Sequence, residues 1–137
     1  METINIYLSN IDRDSGTASN FNIDFIKYGL NSNVKHYVLE IYECGVRNTA
    51  LNVNGIYITS TINQINTINT AGLNILIYLS CISTTSYIYS NNQNINRCVI
   101  ENPLHKIINF QILDAGTRGE VGAPNMHMHL KLRPLIE

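Results

Sequence analysis

The sequence predicts an all-β fold, a β-sandwich of eight or nine short antiparallel strands. The chain has 20 Asn and 21 Ile among its 137 residues, and the two alternate in stretches such as NFNIDF at 20–25. A period of two places apolar side chains on one face of a strand and amides on the other. Both residue types disfavour a helix, because Asn competes for backbone hydrogen bonds and Ile loses side-chain freedom there.

Three strands are predicted in the first third of the chain, at 3–8, 21–25 and 34–46. The first two alternate cleanly, and a loop rich in Asp, Ser, Gly and Thr joins them. The third carries apolar residues on both faces, which is typical of a central, covered strand. The apolar side chains are Ile4, Ile6 and Leu8 in the first strand, Phe21, Ile23 and Phe25 in the second, and in the third Tyr37, Leu39 and Ile41 on one face and Val38, Tyr42 and Cys44 on the other.

In the remaining sequence, Asn54-Gly55 predicts a tight type I′ turn that leads into a strand at 56–61. The segment 62–72 is predicted to be a polar loop or a weak edge strand, and 73–82 is the strongest candidate for a buried strand. Further strands are predicted at 86–89, 97–101, 106–113 and 126–132, with a loop of three glycines and a proline at 114–125. Because eight is the strand number of a jelly roll, we predict a single jelly-roll β-sandwich domain over residues 1–137.

Charge and cysteine content restrict the classes of function. Charged residues are 14% of the chain and the formal net charge is -1, so no basic field favours nucleic acid as a partner. Low charge with 45% hydrophobic residues fits a protein that packs against others. The three cysteines, Cys44, Cys81 and Cys98, form no close pair, which indicates buried free thiols. Without a leader pattern or a sufficiently long apolar run, we expect cytoplasmic synthesis and no membrane span.

Residues with catalytic or metal-binding chemistry are sparse. His127 and His129 lie two apart on a predicted strand and share a face, as a metal pair would, but no third ligand is near in the sequence. Asp12 and Asp14 flank Arg13, and we expect a turn held by an Asp to Arg pair in preference to a calcium site. No nucleophile elbow, His-Glu-x-x-His or glycine-rich phosphate loop is present. We therefore predict no enzyme, no cofactor and no metal site.

Three segments carry a resemblance to a known family. Residues 6–25 (IYLSNIDRDSGTASNFNIDF) contain a strand, an Arg-x-Ser-Gly-Thr-x-Ser-Asn-Phe loop and a second alternating strand. Residues 47–54 (RNTALNVN) are similar to a Pro-Asn-Thr-x-Tyr-Asn segment, and 110–116 (FQILDAG) to a late strand that ends in Asp-x-x-Gly. Together they resemble the small single jelly-roll capsid proteins, pentons or minor capsid proteins, of large eukaryotic DNA viruses and their virophage-like relatives.

The resemblance implies a structural protein of the virion, a component of an icosahedral shell that performs no reaction. Its partners would be other capsid proteins, and self-association into a five-fold ring is one outcome of head-to-tail contacts. The candidate interface residues are chosen because Arg and Tyr are enriched at interfaces and because these lie in or near predicted loops or on a candidate outer face. They are Arg13, Arg47, Tyr87, Tyr89 and Arg118.

Two other functions remain open from the sequence. A fibre-head or lectin-like module would bind a receptor or a carbohydrate through its loops, and it needs a concave site with an exposed aromatic platform. The chain has no Trp for such a platform. A small cupin-like metalloenzyme would rest only on His127 and His129.

Overall fold

The computed structural model describes residues 3–47, 55–65, 74–80, 87–90 and 96–135. Two single-turn 3-10 helices lie at Asn10–Asp12 and Phe25–Tyr28. The strands are β1 (Ile4–Ser9), β2 (Ser15–Gly16), β3 (Asn20–Asp24), β4 (His36–Arg47), β5 (Gly55–Ser60), β6 (Ile75–Ser80), β7 (Tyr87–Ser90), β8 (Asn96–Glu101), β9 (Ile107–Asp114) and β10 (Asn125–Pro134). No helix among the described residues is long and apolar enough to cross a membrane.

The strands form two antiparallel sheets. In sheet A the order is β1-β10-β4, and β7 and β8 pair in succession along the far side of β4. In sheet B the order is β2-β3-β9-β5-β6. The inner faces of both sheets contribute to one apolar cluster, so the architecture is a β-sandwich.

The strand pairs follow a nested order. β1 pairs with β10, β3 with β9, β4 with β8 and β5 with β6, so the chain forms one long antiparallel hairpin. Successive pairs of this hairpin lie alternately in sheet A and sheet B. This is the arrangement of a jelly roll, and it confirms the predicted fold class.

The core lies where the period of two predicts it. In β3 and the residue that follows it, the buried side chains of Phe21, Ile23 and Phe25 alternate with polar residues. Phe21 stacks on Phe110 of β9 with ring centroids 5.5 Å apart, and Phe25 lies 6.4 Å from the same ring. These aromatic contacts fix β3 against β9 at the centre of the sandwich.

The predicted face of β4 is wrong at Cys44. The strand is central, as predicted, but Cys44 is fully buried in the core cluster instead of sharing the outer face with Val38 and Tyr42. The cause is a β-bulge, because the register of β4 against β10 skips Tyr42. One extra residue reverses the alternation of every side chain that follows it.

The strand predicted at 73–82 is present as β6, and its Leu76, Ile77 and Leu79 are buried. Residues 73, 81 and 82 lie outside the described residues. β6 is the last strand of sheet B in the described chain, and its Tyr78 is half exposed. The type I′ turn predicted at Asn54-Gly55 is wrong. Gly55 lacks the positive φ that a type I′ turn requires, and Asn54 lies outside the described residues. Gly55 instead makes room for a neighbouring ring, since a Cβ there would lie 2.5 Å from the hydroxyl oxygen of Tyr78.

Truncation of Phe21 tests the position of the core. Phe21→Ala should lower the free energy of unfolding by about 3–5 kcal/mol, because it removes a buried ring and leaves a cavity. Denaturant unfolding measures the change. Ile107→Ala is the control, since Ile107 is exposed on β9 and its truncation should cost less than about 0.5 kcal/mol. Equal midpoints for the two variants would contradict this core.

Candidate protein interface

The nested strand order brings four connections to one end of the sandwich. Paired strands are antiparallel, and β7 and β8 run one after the other in the same direction along β4. If these two count as one strand, successive connections leave alternately from the two ends. The register places the end of β1 beside the start of β10, and the end of β4 beside the starts of β10 and β7. We term this the four-loop end; its connections are 10–19, 48–54, 81–86 and 115–124, of which 48–54 and 81–86 lie outside the described residues.

Three of the five predicted interface residues, Arg13, Arg47 and Arg118, lie at the four-loop end. Arg47 and Arg118 are exposed, and no described residue accepts a hydrogen bond from either guanidinium. The backbone of Arg118 has a φ of 62° and donates its N–H to the carbonyl of Asp114 at 2.7 Å, which closes a tight turn. Both side chains are therefore presented on ordered backbone with their hydrogen-bond donors available.

The backbone of Tyr87 reaches the same end. In β7, Tyr87 pairs with Arg47, and Tyr89 pairs with Gly45 two residues further from the end. The side chains of both tyrosines lie outside the part of the chain that the structure describes. Their roles as interface residues stay a prediction.

Arg13 holds its own loop together. Its guanidinium donates to the carbonyl of Asn10 at 2.9 Å and to the carbonyl of Gly16 at 3.3 Å. Gly16 has a φ of 92°, and a Cβ there would collide with the backbone oxygen of Asn20 and lie 2.8 Å from the Cα of Phe21. Only glycine fits this position without strain. The Arg-x-Ser-Gly-Thr segment thus fixes the point at which β3 begins.

The expected pair of an Asp with Arg13 is wrong, because the partner of Asp14 is Lys27. The Asp14 carboxylate accepts hydrogen bonds from the backbone N–H of Asp24 at 2.8 Å and from the Lys27 ammonium at 3.0 Å. The Asp24 N–H, followed by Lys27, lowers the pKa of Asp14. The pair is solvent-exposed, so it orients the loop more than it stabilises the fold.

A buried asparagine that the sequence analysis missed joins two connections of the four-loop end. Asn10 is 1% exposed, and its side-chain amide donates to the carbonyls of Ala18 at 2.8 Å and Pro124 at 2.7 Å. Its side-chain oxygen accepts from the N–H of Met126 at 3.1 Å. The sequence could have indicated this burial. Positions 6 and 8 of β1 face the core, and a period of two assigns position 10 to the same face.

Replacement of Asn10 tests this tie. Asn10→Ala should lower the free energy of unfolding by about 2–4 kcal/mol, since it leaves one buried N–H and two carbonyls without partners. Urea unfolding measures the change. Asn63→Ala is the control, because Asn63 is exposed and its side chain makes no hydrogen bond with described residues. A loss no larger than the control's would show that water satisfies these groups.

The outer face of sheet A carries a row of stacked rings. His129 of β10 lies between Tyr7 of β1, with ring centroids 4.5 Å apart, and Tyr42 of β4, at 5.5 Å. The Nζ of Lys131 lies 4.6 Å from the centroid of the Tyr42 ring, a cation–π contact. We term Tyr7, His129 and Tyr42 the aromatic row.

The predicted histidine pair is on one face of β10, but the structure gives it a different setting from a metal site. His127 and His129 alternate with the buried Met126 and Met128, as predicted. The Nε2 of His129 lies 3.1 Å from the side-chain oxygen of Asn5. Among the described residues, no three His, Cys, Asp or Glu side chains gather where they could hold a metal ion.

A buried carboxylate lies on the same outer face. Glu40 of β4 is 6% exposed, and its oxygens lie 2.8 Å from Nη2 of Arg97 in β8 and 3.5 Å from Nε of Arg133 in β10. Burial is the strongest single influence and raises the pKa of Glu40, but the hydrogen bonds and charges of Arg97 and Arg133 together outweigh it. The pKa is therefore held below its ordinary value, and the cluster ties three neighbouring strands.

Acid titration tests the Glu40 cluster. A carboxylate whose pKa is lowered by folding stabilises the fold above its unfolded pKa, ordinarily 4.5, and that contribution is lost as the pH falls through the folded pKa. We expect Glu40→Gln to lower the free energy of unfolding by about 1–3 kcal/mol at neutral pH. The difference from wild type should shrink below pH 4.5.

Urea unfolding across this pH range measures both effects. Glu43→Gln is the matched control, because Glu43 lies on the same strand and has no ion pair with the described residues. A Glu40→Gln difference that is independent of pH would contradict the assignment.

The described cysteines are packing residues. Cys44 is buried and Cys98 is partly buried, and both are free thiols. Burial raises the pKa of Cys44 to about 12 and that of Cys98 to about 11, so both stay protonated at neutral pH. Cys81 lies outside the described residues.

A shallow, open depression of about 490 Å³ lies at the end opposite the four-loop end. Its lining contains polar and aliphatic side chains and no Phe or Tyr: Ser32, Val34, Lys35, His36, Glu101, Asn102, Leu104 and His105. Elsewhere, the described surface presents the guanidiniums of Arg47 and Arg118 and the stacked rings of the aromatic row.

Comparison with protein-family models and with curated proteins gives no match for this chain.

Proposed function

We propose that this chain is a structural protein of a virion, a jelly-roll capsid component that contacts neighbouring shell proteins through its four-loop end. The observation that carries the proposal is the position of Arg13, Arg47 and Arg118. The sequence predicts these residues as interface candidates, and all three lie at one end of a jelly roll. The resemblance over residues 6–25 supports the same class, a penton or a minor capsid protein.

The described part of the four-loop end is suited to contact a neighbour. Its loop backbone is held by hydrogen bonds within the chain, while the guanidiniums of Arg47 and Arg118 are available to bind. Asn10 and Arg13 fix the connection 10–19 through hydrogen bonds to backbone carbonyls. A preformed loop loses little conformational entropy when a neighbour binds. The exposed guanidiniums of Arg47 and Arg118 fit carboxylates or carbonyl oxygens on that neighbour.

Self-association is compatible with the same surface. Contact of the four-loop end with a different patch on a second copy would be head-to-tail. Head-to-tail contacts close into a ring when the rotation between copies allows it, and a five-fold ring is one outcome. Other capsid proteins are the second class of neighbour.

The two other functions have less support. A receptor- or carbohydrate-binding module needs a concave site with an aromatic platform, and the depression at the opposite end has no Phe or Tyr in its lining. A metalloenzyme needs a third ligand beside His127 and His129. The His129 ring is instead stacked between two tyrosines.

Particle composition tests the proposal. Virions purified from producing cells should contain this polypeptide at a fixed ratio to the major capsid protein, as measured by quantitative mass spectrometry. Reversal of both exposed charges, Arg47→Glu with Arg118→Glu, should reduce the incorporated copies by about tenfold or more, because attraction at two contacts becomes repulsion.

Lys35→Glu is the matched control. Lys35 is exposed at the opposite end, so the same chemical change there should leave incorporation through the four-loop end intact. Complete virions that lack the polypeptide would remove the proposed function. Equal losses from the control and from the double reversal would remove the four-loop end as the contact.

A further inference from the structure

β1 is an edge strand that the described fold leaves uncovered. It pairs with β10 on one side, from Ile4 opposite Leu132 to Ser9 opposite His127, and no described residue pairs with its other side. A free edge exposes a row of backbone N–H and C=O groups, and proteins commonly protect it with charged side chains, proline or a covering segment. The sequence of β1, INIYLS, has neither charge nor proline.

Two other edges have the protection that β1 lacks. The edge of β3 is covered by the two-residue β2, beside the charged pair of Asp14 with Lys27. The edge of β8 is covered by residues 63–65, which make two backbone hydrogen bonds with it. β6 and β7 are also uncharged strands at the ends of their sheets, but the connections that flank them lie outside the described residues. The contrast distinguishes β1 as an edge available for pairing.

The aromatic row ends at this same edge. The rings of Tyr7 and His129 are nearly parallel, with 15° between their planes. One face of the Tyr7 ring lies on His129, so the other face is directed away from β10 and across the free side of β1. Tyr7 is 75% exposed. An uncovered ring face beside an uncovered backbone edge supplies both parts of a cross-strand contact.

We propose that β1 pairs antiparallel with β1 of a second copy, about a two-fold axis near Tyr7. Tyr7 then lies opposite the partner's Tyr7, and the aromatic rows of the two copies join into one stack. Sheet A becomes continuous across the dimer. The interface uses the same patch on both copies, so it closes at two. It is separate from the contacts proposed for the four-loop end and does not rest on them.

The chemistry of β1 fits a copy of itself. In this register Ile6 lies opposite the partner's Leu8 on the core face, and Asn5 lies opposite the partner's Ser9 on the outer face. Ile6 and Leu8 are each 2% exposed, so this register keeps both in the core layer, and on the outer face an amide meets a hydroxyl. Because the strand carries no charge, two copies approach without the repulsion that a charged edge would create.

Tyr7→Lys tests the pairing. Wild-type protein should sediment as a dimer that dissociates on dilution. Lysine at position 7 places two like charges opposite each other at the axis, so the dissociation constant of the dimer should rise by about tenfold or more. Ile107→Lys is the matched control, because Ile107 is 67% exposed on β9, an internal strand of sheet B. The control should leave the dimer unchanged.

A cysteine at position 7 gives a second measurement that keeps the strand uncharged. Directly opposed residues of an antiparallel pair have Cα atoms about 4.5–5.5 Å apart, a separation that a disulfide can bridge. Mild oxidation should therefore link Tyr7→Cys into covalent dimers. Wild type and Ile107→Cys should form fewer covalent dimers than Tyr7→Cys. Wild type also shows how much linking the native cysteines cause.

Three outcomes would overturn the pairing. The first is a wild-type protein that stays monomeric at its highest soluble concentration. This is also the result expected if the edge of β1 accepts only a strand from a different protein. The second is equal association of Tyr7→Lys and Ile107→Lys. The third is a Tyr7→Cys variant that links no faster than wild type. None of these outcomes bears on the proposed incorporation into virions through Arg47 and Arg118, because the two proposals use different surfaces.

Discussion

The backbone pairing of β1 with β10, and of β10 with β4, is the constraint on which the rest of the structure depends. It places residues from the early, middle and late parts of the sequence side by side in sheet A. Contacts between such distant residues form only when the whole sandwich assembles, because each must overcome the entropy of closing a long loop. Once these strands are aligned, sheet B faces them across the core, four connections meet at one end, and β1 is left at the edge.

Asparagine amides hold the connections together outside the apolar core. Asn10, Asn74 and Asn102 each donate from one side-chain amide to two backbone carbonyls. On the outer face of sheet B, Asn109 likewise donates to the side-chain oxygens of Asn20 and Asn22. A side-chain amide has two N–H donors on its nitrogen and an oxygen that accepts. It can therefore bridge two carbonyls, which a hydroxyl with one hydrogen or a carboxylate with none cannot do. These asparagines are structural components, beyond their role as the polar half of an alternating pattern.

The outer face of sheet A is more ordered than a solvated polar face. Glu40 draws Arg97 and Arg133 together across three strands, and the aromatic row crosses three strands beside it. Side chains that already contact one another lose little freedom when a partner covers them. This face and the described part of the four-loop end therefore offer two preorganised surfaces with different chemistry, one rich in rings and one rich in guanidiniums.

The period-two alternation in the sequence determined the all-β class, the approximate positions of the strands and inward side chains such as Phe21 and Met128, because these depend only on a residue's place along its own strand. The sequence also marked Arg13, Arg47 and Arg118 as loop residues. Only the tertiary structure decided that all three share one end, that Arg13 is bound within its loop, that Cys44 faces the core and that Tyr7 stacks on His129. The physical reason is that alternation assigns a side chain to a face of the sheet, whereas its neighbour on that face belongs to a distant strand whose register and bulges are set by packing of the whole core.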